Sequence, residues 1–305
     1  MRALVFGGNG FIGSHLVDAL LASGHQVRVF DRSHERFRPA LSGVEYRLFD
    51  FKDTSAIAES LEGVDVVIHL LSTTVPSTSN LDVVADIESN LIGTVRLLQL
   101  MLQKEVKRIV YLSSGGTAYG VPQIMPIPET HPLNPICSYG VVKVAVEKYL
   151  LMFQQLYGLR PVILRPANPY GDRQGHGGVQ GVINTFLARI KNCEKIEIWG
   201  DGSTVRDFIH VEDLADICRI AAETEIEGVF NVGSGSGCSI LEIMDVLRAV
   251  TGREVSPVFK PGRNYDVPRV VLDISKTQEQ FDWKPRIDLD NGVAKTWKWI
   301  QGAAN

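Results

Sequence analysis

Short apolar runs alternate along this chain with segments whose apolar residues recur at helical spacing. Ala3 to Phe6 is a run of four apolar residues that ends in a Gly-rich turn. The stretch after it sets Ile12, Leu16, Ala19 and Leu20 at helical spacing before Gly24. That pattern predicts a buried strand, a tight turn and a helix. QVRVF follows as a second strand. The cycle then repeats through YRLF, a helix near Ser55 to Leu61, VDVVIHLL, a long helix from about Leu81 to Lys104, RIVYLSS, a helix from about Tyr139 to Tyr157, and PVILRP. Strands apolar on both faces and interleaved with helices predict an α/β fold built on a doubly wound, Rossmann-like parallel sheet.

Beyond Arg165 the texture changes to Gly-, Pro- and Asn-rich connections (ANPYGDRQGHGG, WGDGSTVRD) between shorter periodic stretches. We place a boundary near Pro166, giving a nucleotide-binding domain over 1–166 and a smaller, loop-rich α/β substrate lobe over 167–305. Part of 206–233 (VEDLADICRIAAE, GVFNVG) is able to return to the first sheet. The closing GVAKTWKWIQ segment reads as an amphipathic helix.

Composition narrows the class. At 305 residues, 45% hydrophobic and 22% charged, the chain is long enough for a two-lobed globular core and has no ~20-residue apolar run of the kind a membrane span needs. Lys plus Arg total 31 against 35 Asp plus Glu, a net charge of −4. A nucleic-acid binder normally carries a basic footprint, so none is expected. Cys137, Cys193, Cys218 and Cys238 are scattered, with no CxxC pair and no His cluster at metal-ligand spacing, and read as reduced thiols. MRALVFGG runs straight into a strand without a secretory pattern, so a cytoplasmic address is expected.

GGNGFIG puts Gly7, Gly10 and Gly13 after the first strand and at the mouth of the first helix. Glycines there allow a tight turn and close backbone approach, and the helix N-terminus offers free N–H groups to a pyrophosphate. Asp31 ends the second strand, where a carboxylate accepts from ribose hydroxyls and repels a 2′-phosphate, which selects NAD; Arg32 beside it is the feature that would instead welcome that phosphate. SYGVVK sets Tyr139 and Lys143 four apart, on one face of a helix start. A phenol near pKa 10 must fall by ~3 units, about 4 kcal/mol, to act as a base at neutral pH. A Lys cation and a cationic nicotinamide are the groups expected to favour the phenolate.

Across essentially its whole length the sequence resembles the nucleotide-sugar branch of the extended short-chain dehydrogenase/reductase family. The marks are GGNGFIG, Asp31, FDFKD with Asp50, VIHLL with His69, SNLIGT with Asn90, SSGGTAYG, YGVVK, RPANPYG, GDGSTVRDFIHVEDLA, and RNYDVP followed by DISK. The resemblance implies that Gly7, Gly10, Phe11, Ile12, Gly13, Asp31, Asp50, Phe51, Leu70 and Asn90 lie along a tightly held NAD, with Tyr139 the base and Lys143 the anchor of the nicotinamide ribose. It implies that Asn168, Arg206 and Arg263 surround a substrate diphosphate, with Asp266 at a position that holds the nucleotide ribose or Arg263. It also implies a homodimer formed through two long helices per subunit, those near Leu81 and Tyr139.

Three departures refine the activity. Relatives place a Ser or Thr where this chain has Gly115, so Ser114, Thr117 or a water is left to supply the hydrogen bond that hydroxyl makes. Dehydratases and decarboxylases resembling this chain carry a carboxylate just after that position; Gly116 and Thr117 stand there instead, which leaves reversible oxidation and reduction at one carbon. Val270 replaces a bulky Tyr often found in glucose- and galactose-specific relatives, making room for an N-acetyl group. The expected function is therefore an NAD-dependent UDP-sugar 4-epimerase that accepts UDP-N-acetylhexosamines as well as, or in place of, the plain hexoses. The alternatives are a keto-sugar-nucleotide reductase using NAD or NADP, and a non-catalytic NAD-binding regulator.

Overall fold

The computed structural model describes residues 1–175, 181–262 and 267–302. In chain order the strands are β1 (Arg2–Phe6), β2 (Gln26–Asp31), β3 (Val44–Leu48), β4 (Val66–His69), β5 (Arg108–Leu112), β6 (Arg160–Pro166), β7 (Asn168–Tyr170), β8 (Glu197–Trp199), β9 (Val205–His210), β10 (Gly228–Val232), β11 (Gly237–Ser239), β12 (Val258–Lys260) and β13 (Arg269–Val270). The helices are α1 (Phe11–Ala22), α2 (Thr54–Ser60), α3 (Val83–Asp86), α4 (Gly93–Gln103), α5 (Ser138–Tyr157), α6 (Val182–Lys191), α7 (Val211–Glu223), α8 (Ile240–Thr251), α9 (Ser275–Phe281) and α10 (Leu289–Gly302).

The chain divides into two units. The first holds Met1–Gly120, Pro132–Arg165 and Ala215–Phe230; the second holds Val121–His131, Pro166–Leu214 and Asn231–Asn305. Strand β10, with the GVF segment, lies beside β6 in the seven-stranded sheet, and an internal stretch, 121–131, belongs with the second unit.

A seven-stranded sheet ordered β10-β6-β5-β4-β1-β2-β3 forms the first unit, with β1 to β6 parallel. Ala3 to Phe6 and Val67 to Ile68 are fully buried, because helices cover both faces of the central strands. From β1 the chain steps outward to β2 and β3, then restarts at β4 on the other side of β1. Ligands of such sheets bind at the carboxyl ends of the strands flanking this reversal.

The predicted long helix from Leu81 to Lys104 is found as three contiguous pieces: α3, a π-helical turn over Ile87–Ile92, and α4. Asn90 sits in the widened turn, and its side-chain amide donates to the Asp86 carbonyl 3.2 Å away and the Asp86 carboxylate 2.8 Å away. Insertions of this kind are common where a helix carries functional groups.

In the second unit β9 is central, with β7 and β13 parallel to it and β11 antiparallel. A separate apolar cluster, including Ile183, Leu187, Ile243, Leu247 and Val293, forms its core.

Candidate active site

The Gly-rich turn leaves no room for side chains. Gly7 has φ +81°, and a Cβ on Gly13 would lie 2.1 Å from the Gly7 carbonyl oxygen and 2.7 Å from Gly8 Cα, both backbone atoms unable to move aside. Gly10 caps α1 without a side-chain hydrogen bond, so the N–H groups of Phe11, Ile12 and Gly13 form the open helix start. Asp31 is fixed by two backbone donors, Asn9 N–H at 3.1 Å and Ser33 N–H at 3.0 Å, and its carboxylate retains acceptor capacity for ribose hydroxyls. A cavity of about 290 Å³ opens beside it. Gly7, Gly10, Asp31, Asp50, Phe51 and Leu70 line it, as do Arg32, Arg36, Asn9 and Thr73. Asn90 reaches this wall through its Oδ1, which accepts the Thr73 N–H at 2.9 Å. A cradle closed to Cβ atoms, ending in an oriented carboxylate, fits a dinucleotide: pyrophosphate at the helix start, adenosine ribose at Asp31.

Tyr139 and Lys143 occupy the first turns of α5 in the same unit. Lys143 is buried, donates to the Leu112 carbonyl at 2.7 Å, and sits 5.5 Å from the Tyr139 ring centroid and 4.9 Å from that of Tyr111. Burial pushes the ammonium down to about 8, opposed by Glu147 and then Asp86. The Tyr139 phenol is pushed upward, first by burial and then by Cys137 and Asp86. This is opposite to the direction expected from a neighbouring Lys. Burial is the cause, and the ammonium is turned to the Leu112 carbonyl.

Gly140, next to Tyr139, backs onto the SSGGTAYG turn, where an added Cβ would fall 2.8 Å from the Thr117 carbonyl. In that turn Thr117 donates its hydroxyl to Ser114 Oγ at 2.9 Å. The two candidate hydroxyls are therefore one linked pair, with the Ser114 proton left to donate onward.

Behind the dyad Glu147, one turn beyond Lys143, accepts from Ser113 and from Arg165 through both Nε and Nη2, and Arg165 also donates to Tyr119 Oη at 2.9 Å. His69, pushed down to about 3 mainly by burial, is neutral. Because Thr94 gives its proton to the Asn90 carbonyl, the 2.9 Å contact between His69 Nε2 and Thr94 Oγ1 makes Nε2 the protonated nitrogen.

In the second unit Asn168 donates to the Asp207 carbonyl at 2.9 Å, and Arg206 on β9 pairs in register with Val270 on β13, which is 4% exposed. Arg263 and Asp266 lie outside the described residues. Sequence patterns do not single out Asn9, Asp86, Glu147 or Arg165. Asn9 lies inside GGNGFIG, Arg165 opens RPANPYG, and Glu147 falls at the next helical position after Lys143, which are local signals; Asp86 offers none.

A glycine cradle for a dinucleotide, in one unit with a half-buried phenol and a buried ammonium on a single helix face, is the equipment for hydride transfer coupled to proton transfer. It places the molecule among the short-chain dehydrogenase/reductase enzymes. Comparison with known proteins narrows this. The model of the NAD dependent epimerase/dehydratase family matches residues 3–233, so the chain belongs to that family, and NAD is its cofactor. It is similar to the UDP-glucose 4-epimerase of Thermotoga maritima solved with UDP-glucose, at 34% identity over 99% of each chain with a TM-score of 0.94. It is also similar to the UDP-glucose 4-epimerase of Thermus thermophilus in complex with NAD (33%, 100% of each chain, TM-score 0.92). The UDP-N-acetylglucosamine 4-epimerase of Methanobrevibacter ruminantium, in complex with UDP-N-acetylmuramic acid, matches at 29% over 98% of each chain with a TM-score of 0.93. No helix among the described residues is long and apolar enough to cross a membrane.

Proposed function

We propose that the protein is a UDP-sugar 4-epimerase that works through a transient 4-keto sugar. The observation that carries this reading is the Tyr139–Lys143 dyad beside a turn, Ser114 to Thr117, that offers hydroxyls and no carboxylate. Bound NAD supplies the acceptor and donor of the hydride at carbon 4. Tyr139 takes the proton of the 4-hydroxyl and later returns it, so one oxygen serves as base and then as acid. Ser114, held by Thr117, donates to the reacting sugar oxygen. Lys143 anchors the nicotinamide ribose. Asn168, Arg206 and Arg263 hold the diphosphate, for which guanidinium forks are suited, and Asp266 supports Arg263. Removing a 4-hydroxyl proton with no carboxylate in that turn leaves the neighbouring carbons untouched, which is why epimerisation is favoured over elimination.

Val270, smaller than Tyr, is proposed to admit a 2-N-acetyl group. A homodimer is supported by the exposed apolar stripe Val141, Tyr149, Met152 and Leu156 along α5.

The test is to incubate purified protein, without added cofactor, with UDP-glucose and separately with UDP-N-acetylglucosamine, and to resolve the sugars by chromatography. Conversion to the galacto epimer is expected, and a Val270→Tyr variant should lose the N-acetylhexosamine while keeping the hexose. No conversion of either, with NAD added, overturns the reading in favour of a reductase or a non-catalytic protein.

A further inference from the structure

We propose that Asp86 is a positioning residue for Tyr139: its buried carboxylate ties the first residue of α5 to the loop after β4 and presents a negative charge to the dyad. This rests on the role given to Tyr139 above. Asp86 is fully buried at the end of α3, the piece of helix that the π-helical turn separates from α4. Its two oxygens accept three donors from three separate segments. Oδ2 takes Ser138 Oγ at 2.6 Å; Oδ1 takes Thr74 Oγ1 at 2.6 Å and Asn90 Nδ2 at 2.8 Å.

Ser138 is the residue immediately before Tyr139. The N-cap of α5, Cys137, makes no side-chain cap bond, so the start of this helix is held by partners from elsewhere. They are Asp86, and Asn80, whose Oδ1 accepts the Ser138 N–H at 2.9 Å. The loop from Thr73 to Asn80, the Asn90 turn and the catalytic helix are thereby one hydrogen-bonded body, and Asp86 is its hub.

All three partners of Asp86 are neutral, so its charge acts on the dyad. Asp86 is among the groups that raise the proton affinity of both Tyr139 and Lys143. The other groups on this face are Cys137 at the helix start, Tyr111 on β5, neutral His69 on β4, and Glu147, which is engaged by Arg165. A base that must strip a sugar hydroxyl works better with a higher proton affinity, and one that must return the proton needs it not too high. Asp86 is the carboxylate that raises that affinity from outside the catalytic helix.

Asp86→Asn separates charge from position. Its amide oxygen can still accept from Thr74 and Asn90, and its amide nitrogen can donate to Ser138 Oγ once that hydroxyl rotates. Ser138→Ala removes the tie and keeps the charge. In the NAD-loaded protein, the tyrosinate absorbance of each background minus its Tyr139→Phe partner reports ionisation at position 139 without any turnover. With Asp86→Asn that signal should appear at a pH lower by at least about 0.5 unit. The acid limb of kcat/KM should move the same way. Ser138→Ala should lower kcat several-fold, with KM and the tyrosinate titration unchanged. Coincident tyrosinate curves for wild type and Asp86→Asn overturn the proposal even if UDP-sugars prove not to be the substrates. A shifted curve with no UDP-sugar turnover upholds the charge of Asp86 and overturns only the epimerase reading.

Discussion

Replacing Arg165 by Met removes the cation from a pair that is almost completely buried, with side chains 4% and 1% exposed for Arg165 and Glu147. Arg165 donates twice to Glu147 and once to Tyr119, and its guanidinium lies 4.9 Å from the Tyr119 ring centroid. Once it is gone, Glu147 keeps only the Ser113 hydroxyl from this set. Breaking such a pair from one side leaves an uncompensated buried charge and costs ~3–5 kcal/mol. At ~2–4 °C per kcal/mol for a unit of this size, the melting temperature should fall by roughly 6 to 20 °C. The double variant Glu147→Met/Arg165→Met removes both charges. It should recover most of the loss, ending within ~1–2 kcal/mol of wild type because the Ser113 and Tyr119 hydroxyls lose their partners. Thermal melts followed by circular dichroism, repeated in urea, measure all three proteins. An Arg165→Met loss below ~1 kcal/mol, or a double variant as unstable as the sum of its parts, refutes the claim that charge compensation holds this network together.

Gly13→Ala puts its methyl group against the Gly7 carbonyl and should open the nucleotide turn; at ~1–3 kcal/mol or more for forced overpacking, NAD affinity should fall ~10- to 100-fold or further. Calorimetric titration with NAD, and the amount of NAD released on denaturation, check this; an unchanged affinity contradicts the close-approach argument. Lys143, pushed down to about 8, is cationic at neutral pH and loses its charge above that value, so kcat/KM should decline through an alkaline limb near pH 8. A plateau held through about pH 9.5 would show that the ammonium is better compensated than its surroundings imply.

How much of this is legible in the sequence depends on chain distance. The strand, GGNGFIG and first helix, Asp31 at the end of β2, and Tyr139 with Lys143 are all local patterns: each spans a turn, a strand end or one helical turn, and each points to chemistry only in the company of the others. The helix from Leu81 is predicted as continuous because its apolar spacing is continuous; the π-helical turn, in which Asn90 bonds back to Asp86 and across to Thr73, is something periodicity does not register. The transfer of 121–131 to the second unit has the same origin. Ile127 N–H donates to the Val271 carbonyl at 2.9 Å, and Asn231 donates to the Ile127 carbonyl at 2.8 Å, pairings more than 100 residues apart along the chain. Arg165, next to last in β6, opens RPANPYG, but its pairing with Glu147 eighteen residues earlier leaves no mark in the sequence.

The charges behind the dyad explain why Lys143 tolerates burial. Desolvation alone would drive the ammonium to neutrality, and Glu147 and Asp86 act against it. These two carboxylates are not equivalent. Glu147 is engaged by Arg165 and Ser113, so much of its field is cancelled locally, whereas Asp86 is held only by neutral donors. With Lys143 and Arg165 opposite Asp86 and Glu147, the buried set is balanced, two positive against two negative. Removing any one member leaves a net charge in a dry interior, where it acts more strongly than in water. Neutralising Asp86 and neutralising Glu147 should therefore each lower the proton affinity of Lys143. Only the loss of Asp86 should move Tyr139 as well, since Glu147 is absent from the groups that raise the phenol. The phenol and the ammonium are thus tuned by overlapping but separable charges, so the proton affinity of Lys143 is set without fixing that of Tyr139 at the same value.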